Sequence, residues 1–224
     1  MALSRCALFK HAAPAVLASV EHHAKSLHAR RGERIFNVGE RCPGVYIVAS
    51  GRVALSVVSR PDASKVIDLV SSGNHFGLAA TILDSVQNVS AHALADSVLV
   101  MVPRATLLEA ASDHAQFGLQ LAVALSRGVT ALTDDIESHA LHSGRQRVAN
   151  YLLRVAAANA ARGRPFPLPA KKSVIASRLG LTPEYFSRML HDLITTRSIA
   201  VEGRQITIID SDKLRDAGAK PVGA

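Results

Sequence analysis

The feature that most constrains this chain is a tight turn at residues 179–183, which separates two short amphipathic segments. A glycine can take the left-handed backbone conformation that ends an α-helix, so Gly180 predicts the end of the first segment. Thr182 is suited to cap a second helix, and Pro183 fits its first position, where no N–H donor is needed. Ala176 is small enough to let two helices cross closely. The pattern predicts a helix-turn-helix.

The two helices are predicted to run from Lys171 to Leu179 and from Thr182 to about Thr195. Apolar side chains on the second helix recur at the spacing of one buried face, namely Phe186, Leu190 and Leu193. Polar side chains occupy the opposite face, namely Glu184, Ser187, Arg188 and His191. In such a motif this polar face is the part that enters the major groove of DNA.

The polar face has the chemistry that reads base edges. Arg188 can donate to guanine O6 and N7, Glu184 can accept from the cytosine N4 amine, and Ser187 can meet a polar edge or a thymine methyl. Residues 199–209 are two short β-prone runs around a Gly, which predicts the hairpin, or wing, of a winged helix-turn-helix. Further DNA contacts are expected from Thr182, Lys171, Lys172 and Arg204.

Charge is divided unevenly along the chain. Residues 1–143 carry 12 Lys and Arg against 12 Asp and Glu, whereas residues 144–224 carry 14 against 6, so the whole net charge of +8 lies in the last third. A basic module attached to a neutral one is typical of proteins that bind the phosphate backbone of nucleic acids. A solvated basic surface without a partner is the alternative that charge alone leaves open.

The whole chain predicts an α+β architecture. Residues 1–28 are predicted to be an N-terminal helical segment. In residues 29–103, short β-branched runs alternate with turn residues, which predicts an antiparallel sandwich or barrel-like sensor domain. Residues 104–143 are predicted to hold a short helix and then a long one, and residues 144–224 the DNA-binding domain. Ser143-Gly144 has the composition of a hinge between them.

The long helix carries a narrow apolar stripe close to a heptad repeat, and its flanks are polar. Gly128 would let two backbones approach closely, so we interpret the stripe as a dimerisation seam. A helix packed only on its own domain is the alternative. The residues predicted at the dimer interface are Leu121, Leu125, Gly128, Leu132, Ile136 and His139.

Several classes of protein are disfavoured by the sequence. Cys6 and Cys42 are too few for a disulfide framework, which favours a reducing cytoplasm. There is no uninterrupted apolar stretch of the kind that forms a signal peptide or a membrane span, so we expect neither. Phosphate-binding loops, nucleophile elbows and metal-protease motifs are missing as well, so we do not expect an enzyme.

Two stretches in the β-rich part complete a family resemblance. Residues 31–40 (RGERIFNVGE) and 45–53 (VYIVASGRV) are similar to β-roll signatures of the Crp/Fnr family, and Phe76-Gly77 stands where that family's phosphate-binding cassette begins. The order of domains fits too, so the chain resembles a Crp/Fnr regulator along almost its whole length. The resemblance implies a jelly-roll like that of cyclic-nucleotide-binding domains, a homodimer, and double-stranded DNA and RNA polymerase as partners.

Within the family, the combination of Glu184, Ser187 and Arg188 resembles the recognition helix of the Fnr branch. The C-terminal half looks most similar to the Dnr-like, nitrogen-oxide-responsive regulators of that branch. The resemblance implies a dimer bound to a TTGAT-N4-ATCAA-like palindrome. It also implies a role in transcription regulation, mostly activation.

The cassette departs from the family's cyclic-nucleotide pattern. There a Glu holds the ribose and an Arg pairs with the phosphate, whereas Leu78 and Val89 stand at those positions here. Burying a phosphate without its cation is costly, so we expect no cAMP or cGMP binding. Two cysteines cannot supply the four ligands of the Fnr iron–sulfur cluster, so none is expected. The vestigial effector pocket would comprise Phe76, Gly77, Leu78, Val89 and Ser90.

Three possibilities remain for the sensor. The first is heme b that responds to nitric oxide, as the nitrogen-oxide branch suggests, with His11, His22 and His23 as candidate ligands. The second is another small ligand in the vestigial pocket, and the third is an effector-independent regulator. A ligand-binding module without DNA binding is the competing class of function.

Overall fold

A computed structural model describes residues 3–60, 63–161 and 163–219 of the chain. The backbone divides into one unit that extends to Ala131 and a second that starts at Leu132. The first unit is rich in antiparallel strands, and the second combines helices with a small sheet, which confirms the predicted α+β class. The predicted outer limits at residues 1 and 224 lie outside the described residues.

The first unit opens with a 3-10 turn, Leu3–Arg5, and helix α1, Pro14–His23. Its strands are β1 (Lys25–Ala29), β2 (Arg34–Phe36), β3 (Gly44–Ser50), β4 (Arg52–Arg60), β5 (Ala63–Ser71), β6 (His75–Phe76), β7 (Ser90–Ala93) and β8 (Ser97–Pro103). A short helix, α2 (Leu78–Leu83), lies between β6 and β7. Helices α3 (Arg104–Asp113) and α4 (Ala115–Leu141) follow, as the sequence predicts.

The strands form two four-stranded antiparallel sheets, in the orders β1-β8-β3-β6 and β2-β7-β4-β5. Strand β3 shows how the core is built, because successive side chains of a strand point to opposite faces. Tyr46 and Val48 pack in a cluster drawn from both sheets, and Val45 and Ile47 pack against the N-terminal segment and helices α1, α3 and α4. A strand buried on both faces explains the uninterrupted apolar run at this point of the sequence.

The prediction of a helical segment through residue 28 is wrong at its end. Residues 25–29 form β1, with Lys25 opposite Met101 and Ala29 opposite Ser97 of β8. Most of β1 is exposed, so its sequence carries little of the alternation that marks a strand. The conformation of β1 is determined by its backbone pairing with β8, a strand that lies about 70 residues later in the sequence.

The second unit contains helix α5 (Gly144–Ala158), strand β9 (Phe166–Pro167), helices α6 (Lys172–Arg178) and α7 (Pro183–Thr195), strands β10 (Ile199–Glu202) and β11 (Gln205–Ile208), and helix α8 (Ser211–Gly218). The three strands pair in the order β10-β11-β9, which confirms the predicted hairpin. Helix α8 was not predicted from the sequence. Its N-terminus is capped by Asp210, whose carboxylate accepts from the backbone N–H groups of Asp212 and Lys213.

The predicted hinge at Ser143-Gly144 is instead the ordered start of α5. The Ser143 hydroxyl accepts from the Gln146 backbone N–H at 3.3 Å, and the Gln146 side-chain oxygen accepts from the Ser143 N–H at 2.7 Å. This reciprocal pair is a capping box, which the Ser-x-x-Gln spacing encodes.

Among the residues that the structure describes, no helix is both long and apolar enough to cross a membrane.

Candidate nucleic-acid interface and effector cassette

The turn between α6 and α7 has the predicted geometry. Gly180 has a φ of +65°, and the next residue, Leu181, donates its N–H back to the carbonyl of Ala176 at 2.9 Å. Ala176 is fully buried, as a helix crossing requires. The Thr182 hydroxyl accepts from the Tyr185 backbone N–H at 3.2 Å, and Pro183 occupies the first turn of α7. The helix-turn-helix is thereby confirmed.

Helix α7 separates an apolar face from a polar one. The apolar side chains Phe186, Leu190 and Leu193 are at most 2% exposed and anchor the helix in the core of the second unit. The polar side chains predicted to read bases are all exposed, namely Glu184, Ser187, Arg188 and His191. The helix is therefore fixed through one face and presents the other to solvent.

The remaining predicted DNA contacts are also exposed and belong to the same unit. Lys171 and Lys172 mark the start of α6, and Thr182 the start of α7. Arg204 lies in the turn between β10 and β11, and its Nη2 donates to the carbonyl of Leu168 at 3.2 Å. That bond holds the wing arginine against the residue that follows β9 and leaves other donors of its guanidinium for a partner.

A carboxylate near the end of α4 joins helices of the second unit. Asp135 Oδ2 accepts from Arg178 Nη2 on α6 at 2.5 Å, and its Oδ1 lies 3.9 Å from Arg154 Nη1 on α5. The side chains of Asp135 and Arg178 are only 19% and 15% exposed. Ion pairs shielded from water are stronger and less sensitive to salt than surface pairs. This contact has no local signal in the sequence, because Asp135 and Arg178 are 43 positions apart.

Tyr185 is a second residue that the sequence analysis missed. It is half-buried, and the guanidinium carbon of Arg188 lies 5.4 Å from the centre of its ring. That distance is typical of a cation–π contact. The signal in the sequence was the i, i+3 spacing of an aromatic and a basic residue on one helix.

The predicted effector cassette is filled by the protein's own side chains. Leu78 is 5% exposed and packs in the helical core cluster, and Val89 packs against the cluster between the sheets. The Phe76 ring stacks on Tyr46 with centroids 5.2 Å apart. The Ser90 hydroxyl accepts from the Val38 backbone N–H at 3.1 Å. Gly77 begins α2 in the left-handed conformation, with a φ of +79°.

Titratable groups beside this cassette are held in their neutral forms. Burial raises the pKa of Tyr46 to about 12, and the nearby Cys42 and Glu40 add to the shift. Burial lowers the pKa of His75, the neighbour of Phe76 in β6. Desolvation disfavours the charged form of each group, so His75 does not supply the cation that a bound phosphate needs, and Tyr46 has no cationic form.

The candidate heme ligands lie on the surface. His11, His22 and His23 are all exposed, and the last two belong to the final turn of α1. One ring nitrogen of His23 is engaged with the Ser19 carbonyl at 3.0 Å. A heme site is an apolar cleft that buries most of the ligand, and these exposed side chains do not fit that requirement. In the described ranges, no group of three or more His, Cys, Asp or Glu side chains is placed to hold a metal ion.

The apolar stripe of α4 changes character along the helix. Leu121 is 4% exposed and belongs to the core of the first unit, and Leu125 packs partly against it. Leu121 is therefore buried within its own chain, and we no longer assign it to the predicted dimer seam. Further along, Leu132 and Ile136 are 62% and 70% exposed, and a side chain added at Gly128 would meet nothing within 4 Å. His139 is half-buried, with Nδ1 2.8 Å from the Asp135 carbonyl.

A β-roll followed by a long helix and a winged helix-turn-helix with an exposed polar face defines a DNA-binding regulator. Comparison with known proteins agrees with this class. Residues 26–114 match the cyclic nucleotide-binding domain family, and residues 146–217 match the Crp-like helix-turn-helix domain family.

Individual relatives extend over most of the chain. It is 28% identical over 191 residues to the transcriptional activator protein Anr of Pseudomonas protegens, covering 83% of this chain and 77% of Anr. The structure of FixK2 from Bradyrhizobium japonicum superposes with a TM-score of 0.81 and 26% identity, covering 89% of this chain and 99% of FixK2. DNR from Pseudomonas aeruginosa has a TM-score of 0.50 and 26% identity, with 96% and 95% covered.

The chain belongs to the Crp/Fnr family of DNA-binding transcription regulators. The members of this family are regulators of transcription and not enzymes.

The Asp135 contact gives a prediction about stability. We expect Asp135→Asn to lower the free energy of unfolding by about 1–3 kcal/mol, because it leaves the largely buried Arg178 without its charged acceptor. Urea denaturation followed by circular dichroism measures the change. The control is Asp134→Asn, an exposed neighbour on the same helix, which should stay within about 0.5 kcal/mol of the parent. Equal effects of the two substitutions would contradict the structural role of Asp135.

Proposed function

We propose that the protein acts as a homodimer that reads a TTGAT-N4-ATCAA-like palindrome through helix α7. The observation that carries the proposal is the exposed row of Glu184, Ser187, Arg188 and His191 on a helix whose other face is buried. A helix fixed in this way can enter the major groove as a rigid unit, so its side chains meet base edges at defined positions.

The chemistry of the row matches the half-site. Each half-site contains one G·C pair, whose guanine offers O6 and N7 to Arg188 and whose cytosine offers its N4 amine to Glu184. Ser187 is short enough to face a thymine methyl. The exposed cations Lys171, Lys172 and Arg204 would contact phosphates, which fix the position of the helix on the duplex.

A two-fold palindrome requires a two-fold protein, and α4 offers the surface for it. Leu132, Ile136 and the neighbouring Val129 are each more than 60% exposed within one chain. Large apolar side chains exposed along one helix are typical of an interaction surface. We place the dimer seam along this half of α4, from Leu125 to His139, so that the two copies of α7 face successive major grooves about one helical turn apart.

On the sensor side, the geometry favours effector-independent control over heme. The cassette positions are packed with the protein's own apolar side chains, and the candidate histidines are exposed rather than set in an apolar cleft. Nitric oxide sensing through heme, as the likeness to nitrogen-oxide-responsive regulators suggests, is the second candidate.

The output is proposed to be recruitment of RNA polymerase in the cytoplasm, mostly to activate transcription. The likeness to Anr, which is named as a transcriptional activator, supports this direction.

The base-reading role of Arg188 gives the main test. In gel shifts with the palindromic duplex, Arg188→Ala should weaken binding by about 1–3 kcal/mol and relax the preference for guanine. The control, Lys172→Ala, should weaken binding to all sequences alike and reduce the salt dependence, because it removes a phosphate contact. A uniform loss for Arg188→Ala would place Arg188 on the phosphates. Failure of the unmodified protein to bind the palindrome at low salt would refute the proposed function.

The dimer seam is tested by introducing a charged side chain into its apolar surface. Ile136→Glu should give a monomer in sedimentation equilibrium, because a carboxylate would be desolvated at the seam. Leu119→Glu is the matched control, since Leu119 is also 56% exposed on α4 but lies off the stripe. A dimer that survives Ile136→Glu, or one lost equally in both variants, would contradict this seam.

The sensor proposal is tested by spectroscopy. When the purified protein is titrated with hemin, the spectrum should remain that of free heme, with and without nitric oxide. A protein-specific Soret band that shifts with nitric oxide and disappears in the double substitution His22→Ala and His23→Ala would establish the heme candidate instead.

A further inference from the structure

The residue that the proposed base contacts leave unexplained is Tyr185. It lies inside the base-reading row, between Glu184 and the buried Phe186. A half-buried aromatic residue at such a position is neither a core residue nor a typical base-reading side chain. Its contacts explain why it is there.

The Tyr185 ring lies against the first residue of α5. A Cβ built on Gly144 would be 2.3 Å from Cε1 of Tyr185 and 3.1 Å from its Cζ. Real Cβ atoms do not approach carbon atoms so closely, so the ring fits only because residue 144 has no side chain. Leu181 closes the same space from the α6–α7 turn, with its Cδ2 at 3.1 Å from that Cβ position.

Gly144 is itself held in place. It is the first residue of α5 and lies within the capping box that Ser143 and Gln146 form. The side-chain amide of Gln146 also donates to the carbonyl of Ala219, beyond the end of α8. The backbone against which the ring rests is therefore a fixed part of the second unit.

The ring also contacts Arg188. The guanidinium carbon of Arg188 lies 5.4 Å from the ring centre, one helical turn further along α7. Arg188 is otherwise exposed, and a free arginine side chain loses considerable rotamer entropy when it forms a contact. A ring that restricts its conformations before DNA arrives reduces that loss.

We propose that Tyr185 is a positioning residue that directs the Arg188 guanidinium towards a guanine edge, and that Gly144 makes this possible by admitting the ring. This inference rests on the proposed reading of DNA by α7 and adds a determinant of its specificity. Tyr185 itself need not touch a base. The position of its ring connects the fixed start of α5 with the side chain that discriminates between bases.

A double-mutant cycle tests the proposal with the full-length protein. The readout is the ratio of affinities for the palindrome and for a duplex in which the guanine of each half-site is replaced by adenine. Tyr185→Leu should lower this ratio about two- to fivefold, as expected for an exposed cation–π contact. Tyr185→Phe keeps the ring and should retain the ratio. The effect of Tyr185→Leu should vanish in an Arg188→Ala background, because the ring acts through that side chain.

Gly144→Ala perturbs the same contact from the other side. The added methyl group displaces the ring, so the ratio should fall in the same direction as for Tyr185→Leu. The slope of affinity against salt should stay unchanged in each of these variants, since no phosphate contact is lost. A lower ratio that persists in the Arg188→Ala background would mean that the ring only supports the fold and would overturn the proposal.

A measurement without DNA separates this inference from the proposed function. In NMR spectra of the protein with labelled arginine, the side-chain protons of Arg188 should be shifted upfield by the ring in the parent and in Tyr185→Phe. The shift should disappear in Tyr185→Leu. Its absence from the parent would refute the positioning role, whether or not DNA binds, whereas failure of the parent to bind the palindrome would refute only the proposed function.

Discussion

The candidate nucleic-acid interface depends on one constraint, which is that helix α7 is anchored through a single face. Phe186, Leu190 and Leu193 are buried in the second unit, so the rotation of the helix about its own axis is fixed. The position of every polar side chain on the opposite face follows from that rotation. The Thr182 cap fixes where the helix begins, and the left-handed Gly180 fixes its angle to α6. Reading of bases therefore requires few specific side chains, provided that this packing is rigid.

In the first unit, by contrast, the predicted effector positions are buried or half-buried. Its two sheets share a core in which Tyr46 and Phe76 stack, and the positions that would hold a ribose and a phosphate carry Leu78 and Val89. Burial keeps Tyr46 and His75 neutral, so the interior of the roll provides apolar packing rather than charge. The domain matches the cyclic nucleotide-binding domain family, and Leu78 and Val89 pack in or against its hydrophobic clusters.

Local signals in the sequence predicted most of the second unit. The turn residues and the 3.6-residue periodicity gave α6, α7 and the wing, and the exposed face of α7 followed directly from that period. What could not be predicted depends on contacts between distant residues. Strand β1 exists because it pairs with β8, Asp135 meets Arg178 across 43 positions, and Leu121 is drawn from the apolar stripe of α4 into the core of its own chain. The capping box at Ser143 was a local signal that was overlooked in favour of a hinge.

In the proposed complex, Arg188 contacts the N7 and O6 atoms of one guanine in each half-site. The most direct measurement replaces that guanine with 7-deazaguanine, which removes the N7 acceptor and leaves base pairing intact. Loss of one bond of a bidentate contact should weaken binding of the parent protein about tenfold and leave the affinity of Arg188→Ala unchanged. Equal binding of the parent to both duplexes, or an equal loss in both proteins, would contradict the account.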